Sequence, residues 1–117
     1  MLNVPGQLKI FLCLGATDMR KSFDSLAAIV EEQLQLDPLS GHLFVFRSRR
    51  GDRVKLLYWE ESGYALWYKR LEAGTFRFPT AAADHKSLTI SAADLAMLLD
   101  GVDLASVRRQ KRYRRSA

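Results

Sequence analysis

The stretch that most constrains the fold runs from Ser40 to Glu72 and reads SGHLFVFRSRRGDRVKLLYWEESGYALWYKRLE. It holds three short segments rich in β-branched and aromatic residues, His42 to Arg47, Arg53 to Trp59 and Tyr64 to Leu71. Between them lie Ser48-Arg49-Arg50-Gly51-Asp52 and Glu60-Glu61-Ser62-Gly63, each with a glycine that tolerates positive φ. Strand-length runs separated by such turns predict a three-stranded antiparallel meander. Along its second strand Arg53, Lys55, Leu57 and Trp59 alternate with Val54, Leu56 and Tyr58; along the third, Tyr64, Leu66 and Tyr68 alternate with Ala65, Trp67 and Lys69. Neither strand has one clean apolar face: the sheet is expected to have one well-covered side and another that is apolar at one end and basic at the other.

The flanking segments supply the covers. Leu8 to Leu14 (LKIFLCL) is almost wholly apolar and reads as an interior strand. Thr17 or Asp18 is a suitable N-cap for the residues that follow. Phe23, Leu26, Ala27, Ile29, Val30 and Leu34 recur at three- and four-residue steps, predicting an amphipathic helix of about four turns from residue 19 onward. Asp37-Pro38 is its expected end, because a residue before proline is pushed out of the α region. Thr75 to Phe78 reads as a fourth strand and Leu88-Thr89-Ile90 as a further one. Ser91 begins a capping-box-like Ser-Ala-Ala-Asp, Leu95, Leu98 and Leu99 give a helix face, and Gly101 is the expected stop. The expected fold is therefore α+β. A small, mostly antiparallel sheet of four to six strands, the central meander plus added strands, is covered by one long helix and joined by a short C-terminal helix. Residues 1–107 are expected to form a single domain, large enough to need no metal or disulfide, and residues 108–117 a disordered basic tail.

Charge is distributed unevenly. Of the net +5, residues 108–117 contribute six bases and no acid. Residues 47–77 carry eight bases and four acids, whereas residues 1–46 and 78–107 come to −2 and −3. Two basic zones on a mildly acidic body are expected to attract polyanions or acidic surfaces. The single cysteine, Cys13, lies in an apolar run and reads as a buried thiol. With no signal-peptide pattern and no apolar run of bilayer length, a soluble, intracellular protein is expected.

Catalytic chemistry finds little support. The histidines, His42 and His85, stand apart, one cysteine gives no zinc set of ordinary spacing, and no glycine-rich phosphate loop precedes a helix. Asp18 and Asp24 are close enough in sequence to share a metal, although helix caps and exposed helix faces use aspartate routinely. No cofactor, metal or catalytic residue is expected.

Binding is better supported. A hairpin tip bearing Arg47, Arg49, Arg50 and Arg53 can engage phosphates from a rigid support. The alternative is a solvated turn in which Asp52 pairs an arginine and the charges guard strand edges. Trp59, Trp67, Tyr58, Tyr64 and Tyr68, interleaved with Lys55, Lys69 and Arg70, can stack unpaired bases, but three strands this apolar need the aromatics as core. The residues expected to meet nucleic acid are Arg47, Arg49, Arg50, Arg53, Lys55, Lys69 and Arg70, together with Arg108, Arg109, Lys111, Arg112, Arg114 and Arg115 of the tail.

Several motifs resemble those of a known family. Residues 17–26 (TDMRKSFDSL) resemble its TDMRKGFDGL, and residues 37–46 (DPLSGHLFVF) its DPFSGHLFVF. Residues 49–59 (RRGDRVKLLYW), residues 67–72 (WYKRLE) and residues 95–104 (LAMLLDGVDL) follow the same pattern in order. This is the TnpB accessory family, encoded by the second open reading frame of IS-sixty-six-type bacterial insertion sequences, and the resemblance covers residues 5–104. Ser22 and Ser25 stand where the family often has glycine, a change that favours helix. The resemblance implies an auxiliary factor for DNA transposition, not the RNA-guided nuclease that shares the name, and carries no catalytic residues with it. Its implied partners are DNA, the transposase and the co-encoded accessory protein, with no membrane; its implied place is the bacterial cytoplasm, at the nucleoid if it binds DNA. The expected function is non-catalytic, largely sequence-independent DNA binding through the hairpin and tail. The alternative is a protein–protein adaptor docking on the transposase or another accessory subunit.

Overall fold

A computed structural model describes residues 7–79 and 84–101. Five strands and two helices follow in the order β1 (Ile10–Ala16), α1 (Phe23–Glu32), β2 (Leu43–Arg47), β3 (Arg53–Glu60), β4 (Gly63–Arg70), β5 (Ser87–Ile90) and α2 (Ala92–Leu99). They form one mixed sheet with strand order β4-β3-β2-β1-β5. The expected meander is present as β2, β3 and β4, and all eight residues of β3 pair antiparallel with β4.

Three expectations are amended. First, the sheet is mostly antiparallel as expected but contains one parallel pair: β1 and β2 run parallel, because the chain leaves β1, crosses through α1 and returns in the same direction. Second, the covering helix is not long. It has ten residues, about three turns, and its N-cap is Ser22 rather than Thr17 or Asp18. Residues 17–21 are held in a turn, with Lys21 N–H donating to the Asp18 carbonyl (3.1 Å) and Arg20 N–H to Asp18 Oδ1 (2.9 Å). At the other end Gln35 adopts φ +56°, and the N–H groups of Leu34 and Leu36 fold back onto the carbonyls of Ile29 and Val30. The helix thus closes before Asp37-Pro38, which forms a separate turn. Third, Thr75 to Phe78 is not a strand. It crosses beneath the sheet, where Phe76 is buried and its N–H donates to the Gly51 carbonyl (2.7 Å).

Both faces of the sheet are packed, which explains why β2 is fully apolar from Leu43 to Phe46. Phe44, Phe46 and Leu57 meet Leu26, Ile29 and Val30 of α1. Leu43, Val45, Val54 and Leu56 meet Leu95, Leu98 and Leu99 of α2 together with Phe76. Because Leu56 pairs with Trp67 and Trp59 with Tyr64, the two tryptophans lie on opposite faces. Trp67 packs against the α2-side core and Trp59 stands edge-on to Tyr64 at 5.1 Å, so both contribute packing within the chain. Helix α2 begins as expected, with the Ser91 hydroxyl accepting from Asp94 N–H (3.0 Å) and Gly101 at φ +80° beyond its end. Cys13 is buried, and burial pushes its thiol pKa upward. Among the described residues no helix is long and apolar enough to cross a membrane. The domain boundary at residue 107 and the basic segment 108–117 lie outside the described residues.

Candidate nucleic-acid interface

Where the parallel strands β1 and β2 end, the chain makes two turns side by side: Thr17 to Lys21 leading into α1, and Ser48 to Asp52 joining β2 to β3. In open sheets with parallel strands, the space beyond the carboxyl ends is a common ligand position. Here it is a cleft of about 420 Å³, with Arg20 on one wall and Arg49, Arg50 and Arg53 on the other.

The arginine hairpin is rigidly built. Ser48 N–H donates to the Arg53 carbonyl (2.9 Å), Gly51 N–H to the Ser48 carbonyl (3.0 Å) and Arg53 N–H to Ser48 Oγ (3.1 Å). Gly51 takes φ +80°, where a side chain would be strained and its Cβ would stand 3.4 Å from that of Thr75. The Asp52 carboxylate accepts from Ser48 Oγ (3.3 Å) and pairs no arginine among the described residues. Arg49 and Arg50 are exposed and make no ion pair to a described residue. Arg53 is half-buried and donates to the Tyr68 hydroxyl (3.2 Å) while lining the cleft.

The opposite wall is electrically balanced. Arg20 donates to both oxygens of Asp18, through Nε at 3.1 Å and Nη2 at 2.7 Å. These bonds, followed by the one from the Arg20 backbone N–H, hold the Asp18 pKa down at about 2 and raise that of Arg20. The exposed pair offsets the Arg20 charge at the cleft's edge. Among the described residues, the positive charge without an ion-pair partner at this cleft therefore sits on the hairpin.

Other expected binding residues are placed differently. Lys55 is buried, its ammonium donating at 2.7 Å to the carbonyls of both Met19 and Lys21 and lying 4.7 Å from the Tyr68 ring centre. It ties β3 to the turn before α1 and does not face a ligand. Lys69 donates to the Leu99 carbonyl (2.8 Å) and caps the C-terminal end of α2. Arg70 is exposed but pairs Glu72 at 2.9 Å. Arg47 is half-buried; it donates to the Leu14 carbonyl (2.7 Å), lies 5.6 Å from the Phe78 ring centre, and leaves its buried Nε without a partner. Arg108, Arg109, Lys111, Arg112, Arg114 and Arg115 lie outside the described residues. Of the expected set, the structure brings Arg49, Arg50 and Arg53 together.

Arg20 is the residue that charge counting missed, since its partner Asp18 hides it in the local balance. The histidines are separate from this site. His42 Nδ1 accepts from Lys9 N–H (3.0 Å), and the ring packs edge-on to Phe11. Among the described residues, no three His, Cys, Asp or Glu side chains gather into a group able to hold a metal ion.

The chain matches the family model described as IS66 Orf2 like protein over residues 8–109. It is 42% identical over 103 residues to an uncharacterized protein, y4hO, of Sinorhizobium fredii, covering 88% of each chain. A second uncharacterized protein of that organism, y4jC, is 36% identical over 110 residues, covering 94% of this chain and 92% of its own. No solved structure matches.

Proposed function

The chain belongs to the IS66 Orf2 like family, and from that premise we propose that it serves transposition by binding the phosphate backbone of DNA through the arginine hairpin. The family implies an accessory role beside a transposase and is not a known catalytic family. The observation that carries the DNA reading is the pairing state of the hairpin: Arg49 and Arg50 are exposed, without ion pairs among the described residues, on a loop anchored by three hydrogen bonds to Ser48 and Arg53. Such guanidiniums meet a phosphate without first losing a partner, and their rigid support lowers the ordering cost of binding. Arg53 and the Asp18-paired Arg20 flank the same cleft. The segment 108–115 adds six positive charges of its own. Contacts of this kind neutralise phosphates and read little sequence, so affinity should fall steeply with salt.

The test is duplex binding by the full-length chain, measured by fluorescence anisotropy over a salt series. Replacing Arg49 and Arg50 with alanine should weaken binding at low salt and lower the slope of log K against log salt by about 2, close to one unit per lost phosphate contact. Asp18→Asn should tighten binding, since it frees Arg20 from its counter-charge. A chain that binds no duplex at low salt would leave docking on the transposase or another accessory subunit as the better reading.

A further inference from the structure

We infer that the outer edge of β4 pairs antiparallel with β4 of a second copy of this chain, joining two five-stranded sheets into one of ten strands. The inference is independent of the phosphate reading above.

Among the described residues, strand order leaves two edges, β4 and β5. β5 has four residues, whereas β4 has eight, in continuous register with β3 and without proline or bulge. An edge of that length is a ready template for another strand. Leu71 N–H donates to the Asp52 carbonyl (2.8 Å), which sets the alternation along the hairpin. By that alternation Trp67 and Lys69 bond inward to β3, while Tyr64, Leu66, Tyr68 and Arg70 direct N–H and C=O outward. The side chains here are incompletely covered: Ala65, Leu66 and Trp67 are half-buried, and Tyr68 is 47% exposed.

Charge selects the occupant. The strand is entered from the exposed Glu60-Glu61 turn and left at the exposed Arg70. A two-fold axis through the middle of β4 sets the arginine end of each copy against the acidic turn of the other. A parallel copy would oppose like charges. Lys69 does not guard this edge, because its ammonium is drawn back to the Leu99 carbonyl. The Arg70–Glu72 pair is solvent-exposed on both sides and is readily exchanged for an intermolecular one.

Sedimentation equilibrium on the full-length chain should give close to twice the 13.3 kDa monomer mass at about 100 µM, where a dissociation constant of about 10 µM or tighter keeps most chains paired. Leu66→Pro removes an outward N–H that the chain's own sheet does not use, so the dimer dissociation constant should rise at least about tenfold with the far-UV spectrum unchanged. Should that variant misfold, a charge swap decides. Arg70→Glu and Glu61→Arg should each weaken the dimer about fivefold, and the double variant should return to within about twofold of the original. A monomer at about 100 µM, or a swap that fails to restore association, overturns the inference; so does a folded Leu66→Pro chain that dimerises like the original.

Discussion

Lys55 and Arg49 look alike in a charge count, and the structure gives them opposite roles. The Lys55 ammonium is enclosed, with two carbonyl acceptors and an aromatic face. Removing it leaves those two part-buried acceptors without their donor, and a hydrogen bond from a charged group contributes about 1.5–3 kcal/mol. Lys55→Ala should therefore lower unfolding stability by about 2–4 kcal/mol in urea denaturation, with DNA affinity of the remaining folded protein little changed. Alanine at Arg49 and Arg50 should do the reverse, moving stability by no more than about 0.5 kcal/mol. Asp18 gives a pH signature. Its pKa is depressed in the folded chain to about 2 from an ordinary 3.8, so its stabilising effect is complete above pH 3.8 and disappears as pH falls through about 2. The stability gap between the native chain and Asp18→Asn should hold steady from neutral pH down to about 4 and close below it, when followed by thermal melts at graded pH. Residue type and alternation indicated that Lys55 was basic and mid-strand. Its burial depends on carbonyls 34 and 36 residues away, which no local pattern contains.

At the scale of elements, strands were more legible than helix ends. Strand positions follow from alternation and glycine turns, and β2, β3, β4 and β5 fall where those signals put them. The ends of α1 do not follow from composition. Thr17 and Asp18 are good caps in isolation, but Lys55 takes the carbonyls of Met19 and Lys21, and the helix starts at Ser22 instead. Ser25 accepts from the Ser22 N–H at 2.9 Å, so the serines that stand where the family often has glycine provide the helix start. Ser25→Gly should cost about 1 kcal/mol, from a lost capping bond and greater backbone entropy in the unfolded chain; chemical denaturation checks this. The stretch from Thr75 to Phe78 misled for a related reason. Its alternation is strand-like, yet Phe76 fills the α2-side core, and β4 stays an edge strand among the described residues.

For the whole molecule, one covered side of the sheet was legible, whereas the packing of α2 and Phe76 on the other side and the direction of β1 were not. An apolar strand followed by a helix fits either a parallel or an antiparallel return. The crossover through α1 makes it parallel and sets the turn after β1 beside the arginine hairpin. The cleft is thus a product of topology, and half of it, Arg20 with Asp18, lies about thirty residues from the hairpin in sequence. The arginines at 49, 50 and 53 were legible from composition, whereas their separation from Lys55, Lys69 and Arg70 required the packing of both faces.

The most direct test of the phosphate-binding account is anisotropy of a labelled duplex titrated with the full-length chain at several salt concentrations, beside the Arg49→Ala/Arg50→Ala variant. The account predicts tight binding at low salt, a linear fall of log K with log salt, and a slope shallower by about 2 in the variant. Equal affinities and slopes for the two proteins, or no binding by either at low salt, would contradict it.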